Sequence, residues 1–564
     1  MSLFGTIQIA SNSLNAASLG LQVTGNNIAN ANTPGYIRQR LVQSPAPASR
    51  QGSVLLGLGV QVDGVQQVID KFLAERTRGA ASDVASSEAQ ADVYSKLETA
   101  INELGDKDLS TSLSSFFGSL QDVLNQPESI AVRNVAVQKA QTLAGGIQRL
   151  DSQVRSISTS VNQQIAGMAT DINSLLKDIA KLNVQIVQLE GGGTSGSDAV
   201  GLRDQRAQDL AKLSEITNIQ AIEQPTGDVT VYNNGNFLVS LGTARQVSAV
   251  TEVKNGVSTS HIEINEVNSP LEASGGRLGG LIAARDQIIP NFLGGLSDLS
   301  KSLIGEFNKV YANGQGLTGF SQVTSTEAVS SATIPLDATG LTFPPGNGLF
   351  QVQTYNQQTG STSTTEIRVD LTGLDADTTL QSLASQLDAI DGLSASVTET
   401  GKLQISSDSA DVTFGFANDT SGTLAALGIN TFFTGNNSQN IGINQAVKSD
   451  PSKLAFSSGG PGEDTKNGQL LANLIDAPLG RSGLSLADTY QQLTSNVALS
   501  SQSASAAADG FRNFQQALEG QQLAISGVNI DEEAVRMIEY QRTYQASARV
   551  ISTVNELLQT LLDL

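Results

Sequence analysis

The chain has no cysteine, no tryptophan, one histidine and only 13 prolines in 564 residues. Without cysteine, disulfides, thiolate metal sites and cysteine nucleophiles are excluded, although this alone does not separate cytosol from exterior. The lone histidine, His261, rules out a multi-histidine metal site within one chain. It stands in the alternating run His261-Ile262-Glu263-Ile264 and reads as a plain strand residue. Aromatic residues are 4% of the chain against 39% hydrophobic, so packing is expected to rest on Leu, Ile, Val and Ala, as in helix bundles. Positive charge is also short: 33 Lys and Arg face 54 Asp and Glu, a net charge of -21. With no basic cluster to offset it, binding to nucleic acid or to an anionic membrane surface is not expected. No apolar run reaches the roughly 18 residues of a membrane-spanning helix, so membrane insertion is not expected either. Arg38 is the first charged side chain, so the start lacks the basic region of a cleaved signal peptide, and export would need another route.

What is present is length and helical periodicity. A chain of 564 residues is too long for one ordinary core, so several domains are expected. Leu3, Ile7, Ala10, Leu14, Ala17, Leu21, Thr24 and Ile28 recur in steps of four and three, which is a heptad seam. Gly5, Gly20 and Gly25 lower its helix propensity and its other faces are uncharged, so this helix needs a partner. Asn30 to Gly35 is a turn in which proline fixes one φ and glycine tolerates a positive one. Val60, Val62 and Val65 suggest extended chain, and a helix starts at Asp70 to Arg78.

The strongest periodic signal is the stripe from Ile147 through Leu150, Val154, Ile157, Val161, Ile165, Met168, Ile172, Leu175, Ile179, Leu182 and Ile186 to Leu189. Its two four-residue steps at Ile157, Val161 and Ile165 resemble a stutter, and at 1.5 Å per residue it spans roughly 60 Å. Gly191 to Gly193 break it, and a shorter helix follows at Leu202 to Leu213. Val229 and Val231, then Asn233-Asn234-Gly235, then Phe237 and Val239 predict a hairpin in a β-rich stretch. Helix returns at Leu278 to Tyr311. An α+β module follows, with a strand at Ile367, Val369 and Leu371, a helix at Leu380, Leu383, Leu387 and Ile390, and a hairpin about Thr400-Gly401. Asp375 and Asp377 form a carboxylate pair without the spaced ligands of a calcium loop, so they read as a solvated loop.

Near the end, Leu486, Tyr490, Leu493, Val497, Ala504, Ala507, Phe511, Phe514 and Leu518 predict a second long helix interrupted at Gly520 and Gly527. Asn529 with Glu532 three residues on predicts an N-terminal cap, with Asp531 to Glu533 at the positive end of the helix dipole. In the last helix Met537, Tyr544, Ala548, Ile551, Leu558 and Leu562 share a seam, which Tyr540, Val550, Val554, Leu557 and Leu561 widen. That is more apolar surface than one neighbour covers, so exposure in the monomer and burial on assembly are expected.

The expected fold is multidomain and mainly α, with long coiled-coil-like helices from both termini enclosing β-rich and α+β middle domains. A subunit whose terminal helices pack on those of neighbours makes heterologous contacts and builds helical filaments. A heptad stripe by itself more often means an ordinary coiled coil or bundle core; the other readings are an exported hydrolase built into the middle domain and an adhesin or surface-layer subunit with Ser/Thr-rich outer domains. No Gly-x-Ser-x-Gly elbow and no P-loop is present to favour the enzyme.

Asn26-Asn27-Ile28-Ala29-Asn30-Ala31-Asn32-Thr33-Pro34-Gly35-Tyr36 resembles the N-terminal signature of flagellar rod, hook and hook-associated proteins. Ser526 to Glu533 and Tyr540 to Ile551 are similar to the other end of the same proteins. Phe116 to Glu190, including Asn125-Gln126-Pro127-Glu128, and the Gly-Ile-Asn-Thr-Phe-Phe run at 428 to 433 resemble the hook-associated protein 1 (FlgK) family. The resemblance implies a D0-like core from 1–60 and 521–564 and a D1-like helical rod from 61–215 and 446–520. Between them it leaves a β-rich domain at 216–280, a returning helix at 281–319 and an outer α+β domain at 320–445. It also implies a structural role without catalysis or cofactor, at the hook tip, joining hook to filament. The implied partners are further copies of itself, the hook protein, the distal hook-associated protein 3, and a type III export chaperone with its export apparatus. The implied location is extracellular, or periplasmic if the flagellum is internal. Assembly residues carried over in this way are Leu3, Ile7, Leu14, Leu21, Asn27, Ile28, Asn30, Pro34, Gly35 and Tyr36. Met537, Tyr540, Tyr544, Ile551, Val554, Leu558 and Leu561 are the expected assembly and chaperone-binding residues of the last helix.

Overall fold

The computed structural model describes residues 3–51, 54–102, 108–254, 257–374, 376–479 and 483–562. Asp375 lies outside the described residues, and so do the side chains of Leu561 and Leu562, whose backbone ends the last helix. Thirteen α-helices are described: α1 (Leu3–Ala29), α2 (Lys71–Asn102), α3 (Leu109–Asn125), α4 (Ile130–Leu189), α5 (Val200–Ile216), α6 (Gly276–Ala283), α7 (Ile289–Tyr311), α8 (Leu380–Asp388), α9 (Thr423–Leu427), α10 (Gln445–Ser449), α11 (Lys466–Ala472), α12 (Leu486–Ser526) and α13 (Ile530–Leu562). Among the described residues no helix is long and apolar enough to cross a membrane. The chain forms two compact units, one of residues 1–93, 159–286 and 501–564, the other of residues 94–158 and 287–500. Helices α2, α4 and α12 supply residues to both.

In the first unit α1 packs along α13, and strand Gln39–Pro45 pairs antiparallel with Val60–Gln67, with a bulge at Val42/Gln43. The loop after α4 adds to that ribbon: Asp198 N donates to Val65 O (2.8 Å), and Val65 N donates to Ser197 Oγ (3.0 Å). Gly64 and Gly196 allow the approach, since a Cβ on Gly64 would stand 2.0 Å from the Gly196 carbonyl oxygen. The expected hairpin is present, with Asn233 opposite Asn236 and both turn residues, Asn234 (φ 43°) and Gly235 (φ 83°), left-handed. It belongs to a four-stranded antiparallel sheet from Gln220 to Ala244, beside a three-stranded sheet of Val247–Lys254, Val257–Ile264 and Ser269–Pro270. His261 is a strand residue there, 2.9 Å from Glu263 Oε1.

In the second unit the scarce aromatics are concentrated, which corrects the expectation of a purely aliphatic core. Phe116 and Phe117 of α3, Phe307 and Tyr311 of α7, and Phe432 and Phe433 pack with ring centroids 5.0–6.2 Å apart. Offset and edge-on ring packing adds specificity that aliphatic contacts lack. Asn308 locks the cluster: Phe432 N and Phe433 N both donate to its Oδ1 (3.0 Å), and its Nδ2 donates to Phe433 O (2.8 Å). This unit also holds the sheet of Ser361–Val369, Gly348–Asn356 and Val412–Ala417, with α8 and the hairpin Leu393–Val397/Leu403–Ser407.

Three boundaries differ from expectation. Helix α4 begins 17 residues before the stripe, buries Leu176 in place of Leu175, and leaves its last stripe residue, Leu189, 67% exposed. A π turn at Ala284–Ile288 separates α6 from α7. Helix α12 runs through Gly520 and stops at Ser526; nothing lies within 4 Å of a Cβ at Gly520, so glycine there costs helix propensity and breaks nothing. Phe511 and Phe514, placed on its seam by the heptad reading, are exposed.

Candidate assembly interface at the paired chain ends

Helices α1 and α13 are antiparallel, since Asn27 meets Glu533 and Gly20, seven residues earlier, meets Tyr540, seven residues later. The buried face of α1 is small: Ala10, Ala16, Ala17, Gly20, Val23, Thr24 and Asn27. This rotates the expected seam. Ala10, Ala17 and Thr24 are on it, whereas Leu3, Ile7, Leu14, Leu21 and Ile28 are only half-buried. The physical reason is close approach. A Cβ on Gly20 would stand 2.6 Å from Cε1 and Cζ of Tyr540, so the tyrosine ring occupies the space the glycine leaves. On α13, Val554 is buried; Met537, Tyr540, Ile551 and Leu558 are half-buried; Tyr544 is exposed.

At one end of this pair sits a polar lock. Asn27 is fully buried and uses its whole amide: Nδ2 donates to Gln39 O (2.8 Å) and Glu533 Oε2 (2.9 Å), and Oδ1 accepts from Tyr36 Oη (2.8 Å) and Gln39 N (3.0 Å). One side chain thus ties α1, the turn, the first strand and α13 together. Burial, then the nearby Asp204 and Glu533 carboxylates, push the Tyr36 phenol up to about 12, so it stays protonated and donates. Glu533 is 1% exposed, and its second oxygen has only Arg536 Nη1 at 3.7 Å. Arg38 continues the lock: its backbone N donates to Ser526 O (2.9 Å) and its Nη1 pairs with Glu532 Oε2 at 3.2 Å.

The turn residues have local roles. Asn30 Oδ1 accepts from Thr33 Oγ1 (3.2 Å), Gly35 has φ 77°, and Pro34 O accepts from Gln208 Nε2 of α5 at 3.3 Å. The expected cap is present: Asn529 Oδ1 accepts from Asp531 N (3.0 Å) and Glu532 N (3.4 Å), while the Glu532 side chain turns to Arg38. A groove of about 800 Å³ lies between the turn, α5 and the α12–α13 connection.

The sequence reading missed Glu533 as a buried partner, because it sits in an acidic run that a helix dipole already explains. It also missed a buried ionic network. Glu190, at the end of α4, takes Arg203 Nε on Oε1 (2.7 Å) and Nη2 on Oε2 (2.8 Å), while Arg203 Nη1 reaches Glu223 at 2.6 Å. Two hydrogen-bonded pairs overcome the burial that opposes ionisation, and Glu190 is held below the usual carboxylate range. Asn183 Oδ1 accepts from Arg206 Nη1 (2.9 Å) and Val229 N (3.0 Å), fixing α4 to α5 and the four-stranded sheet. Single charged residues at irregular spacing gave no pattern from which to read it.

Comparison with known proteins matches these parts. The flagellar hook-associated protein FlgK helical domain matches residues 94–324, the basal body rod FlgEFG protein C-terminal region residues 519–564, and the basal body rod protein family residues 7–36. Flagellar hook-associated protein 1 of Salmonella typhimurium is 28% identical, covering 99% of each chain. Along its whole length the chain is similar to flagellar hook-associated protein 1 (FlgK). Relatives of the same name from Escherichia coli, at 26% identity over 99% of each chain, and Bacillus subtilis, at 24% over 100% of this chain and 98% of the relative, extend the similarity. The solved structure of the flagellar hook junction protein FlgK from Burkholderia pseudomallei is 16% identical, covers 80% of this chain and 100% of that one, and superposes with a TM-score of 0.49. The lock joins the two segments that match rod-type families: Asn27 and Tyr36 lie in the first, Glu533 and Tyr540 in the second.

Proposed function

We infer that this protein is a structural subunit of the bacterial flagellum that polymerises at the hook tip and joins hook to filament, enabling filament growth and motility. The observation that carries the inference is the half-covered helix pair at the chain ends. Phe4 is 74% exposed, and Leu19, Val535, Ile538, Tyr544, Val550 and Leu557 also turn apolar surface to solvent. Helices buried on one face and apolar on others are covered by association, and heterologous contacts between copies propagate a helical lattice. On this reading 1–60 and 521–564 form the inner core, and 320–445 is an outer domain.

The hook protein contacts this subunit on one side and the distal hook-associated protein 3 on the other. Before assembly an export chaperone covers the apolar faces of α13, and the chain leaves through the flagellar export channel. The role is mechanical and requires no catalysis. The test is deletion of the gene, with electron microscopy of the cells and an assay of flagellin in the medium. Bare hooks with flagellin shed as monomer are expected; normal filaments would overturn the junction role and favour an adhesin or surface-layer subunit.

A further inference from the structure

A half-open pocket of about 350 Å³ lies where the start of α2, α5 and strand Gln220–Glu223 meet. In a chain with a net charge of -21, its wall carries four cations, Lys71, Arg78, Arg203 and Arg206, against two carboxylates, Glu75 and Glu223. Both carboxylates are engaged: Glu75 pairs with Arg78, and Glu223 pairs with Lys71 and Arg203. Arg203 is answered by Glu190 as well. Arg206 has no ion pair within 4 Å among the described residues; Glu223, Glu190 and Asp228 act on it only from farther away. Arg206 is 4% exposed, its Nη1 is spent on Asn183 and the Gly227 carbonyl, and its Nε and Nη2 make no hydrogen bond among the described residues. The Nε of Arg78 is buried and also has no acceptor. A guanidinium taken out of water is costly unless an anion or a set of acceptors meets its free edge.

We propose that this pocket binds a small oxyanion, a phosphoryl or carboxylate group held on the free edge of Arg206 with Lys71 at the mouth. Guanidinium presents parallel N–H donors that match two oxygens of such a group. The volume admits a phosphate monoester or a small polycarboxylate, and excludes a folded protein segment. Bound there, the anion cross-links α2, α5 and the strand, stiffening the region between the paired ends and the four-stranded sheet.

The test is thermal unfolding and titration calorimetry of the purified full chain with inorganic phosphate, citrate or chloride at one ionic strength. Saturable binding of phosphate or citrate, absent with chloride, is expected; the tighter of the two identifies the group as phosphoryl or carboxylate. Lys71→Gln, whose side chain is 68% exposed, should fold normally and weaken binding about tenfold. Arg206→Lys should weaken it further by removing the forked donor; where that variant unfolds, Lys71→Gln alone decides. Shifts that follow ionic strength whatever the salt, or binding untouched by Lys71→Gln, would overturn the proposal.

Discussion

Helix α1 contains a built-in comparison in its three glycines. At Gly5 and Gly25 a Cβ would meet nothing within 4 Å, while at Gly20 it would stand 2.6–2.7 Å from three ring atoms of Tyr540. Replacing a helical glycine by alanine gains about 1 kcal/mol of propensity, so Gly25→Ala should stabilise the helix pair by about that much. At Gly20 the same gain is opposed by overpacking, which costs about 1–3 kcal/mol because a tyrosine ring against a helix cannot move aside cheaply. Gly20→Ala should therefore be neutral to destabilising by about 2 kcal/mol, a gap of about 1–3 kcal/mol from Gly25→Ala. A chain of two units need not unfold in two states, so the assay is hydrogen exchange of α1 and α13 amides. The gap corresponds to exchange differing by about five- to 150-fold between the variants. In a Tyr540→Ala background the steric term disappears, and Gly20→Ala should then protect the pair as Gly25→Ala does. Equal protection by Gly20→Ala and Gly25→Ala in the native background would refute the close-approach argument.

Other expectations follow from the buried polar groups. Asn27→Ala removes four hydrogen bonds and strands the Glu533 carboxylate, costing about 3–5 kcal/mol, and should expose both chain ends to limited proteolysis at once. Arg203→Gln leaves Glu190 buried without its bidentate partner, again a loss of about 3–5 kcal/mol; faster exchange in strands 220–244 should report it. Burial pushes the Asp204 carboxyl up to about 6, despite hydrogen bonds from Gln67 and the Ile37 backbone. A raised carboxylate pKa makes the folded state take up its proton first, so this group favours folding increasingly as pH falls from above 6 towards 4. Asp204→Asn should raise the unfolding midpoint at pH 7 and reduce its difference between pH 7 and pH 5; an unchanged difference would contradict the burial argument.

Helix positions were legible because periodicity is a local property. The stripe of α4, the hairpin at Asn234-Gly235 and the cap at Asn529 each follow from neighbours within a few residues, and each is present. Orientation about the helix axis was less legible. On α1 the largest side chains predicted the seam, yet alanine and glycine occupy it, because contact is set by how near α13 comes and not by hydrophobicity alone. Of the expected assembly residues, Asn27 and Tyr36 are hydrogen-bonded to each other within the lock, and Tyr544 is exposed. Phe511 and Phe514 were misplaced for a related reason: a heptad pattern records apolar faces without saying which of them a single chain covers.

The long helices at both ends, the β-rich and α+β segments between them and the resemblance to flagellar hook-associated proteins were readable from the chain alone, since these depend on local pattern and contiguous motifs. Which groups more than 500 residues apart in sequence share a hydrogen bond, as Asn27 and Glu533 do across 506 positions, follows only from how the helices pack. The same holds for the gathering of six aromatic rings from three distant segments and for the pairing of Glu190 with Arg203 out of water. Such contacts arise from packing one element against another, and no spacing along the chain encodes them.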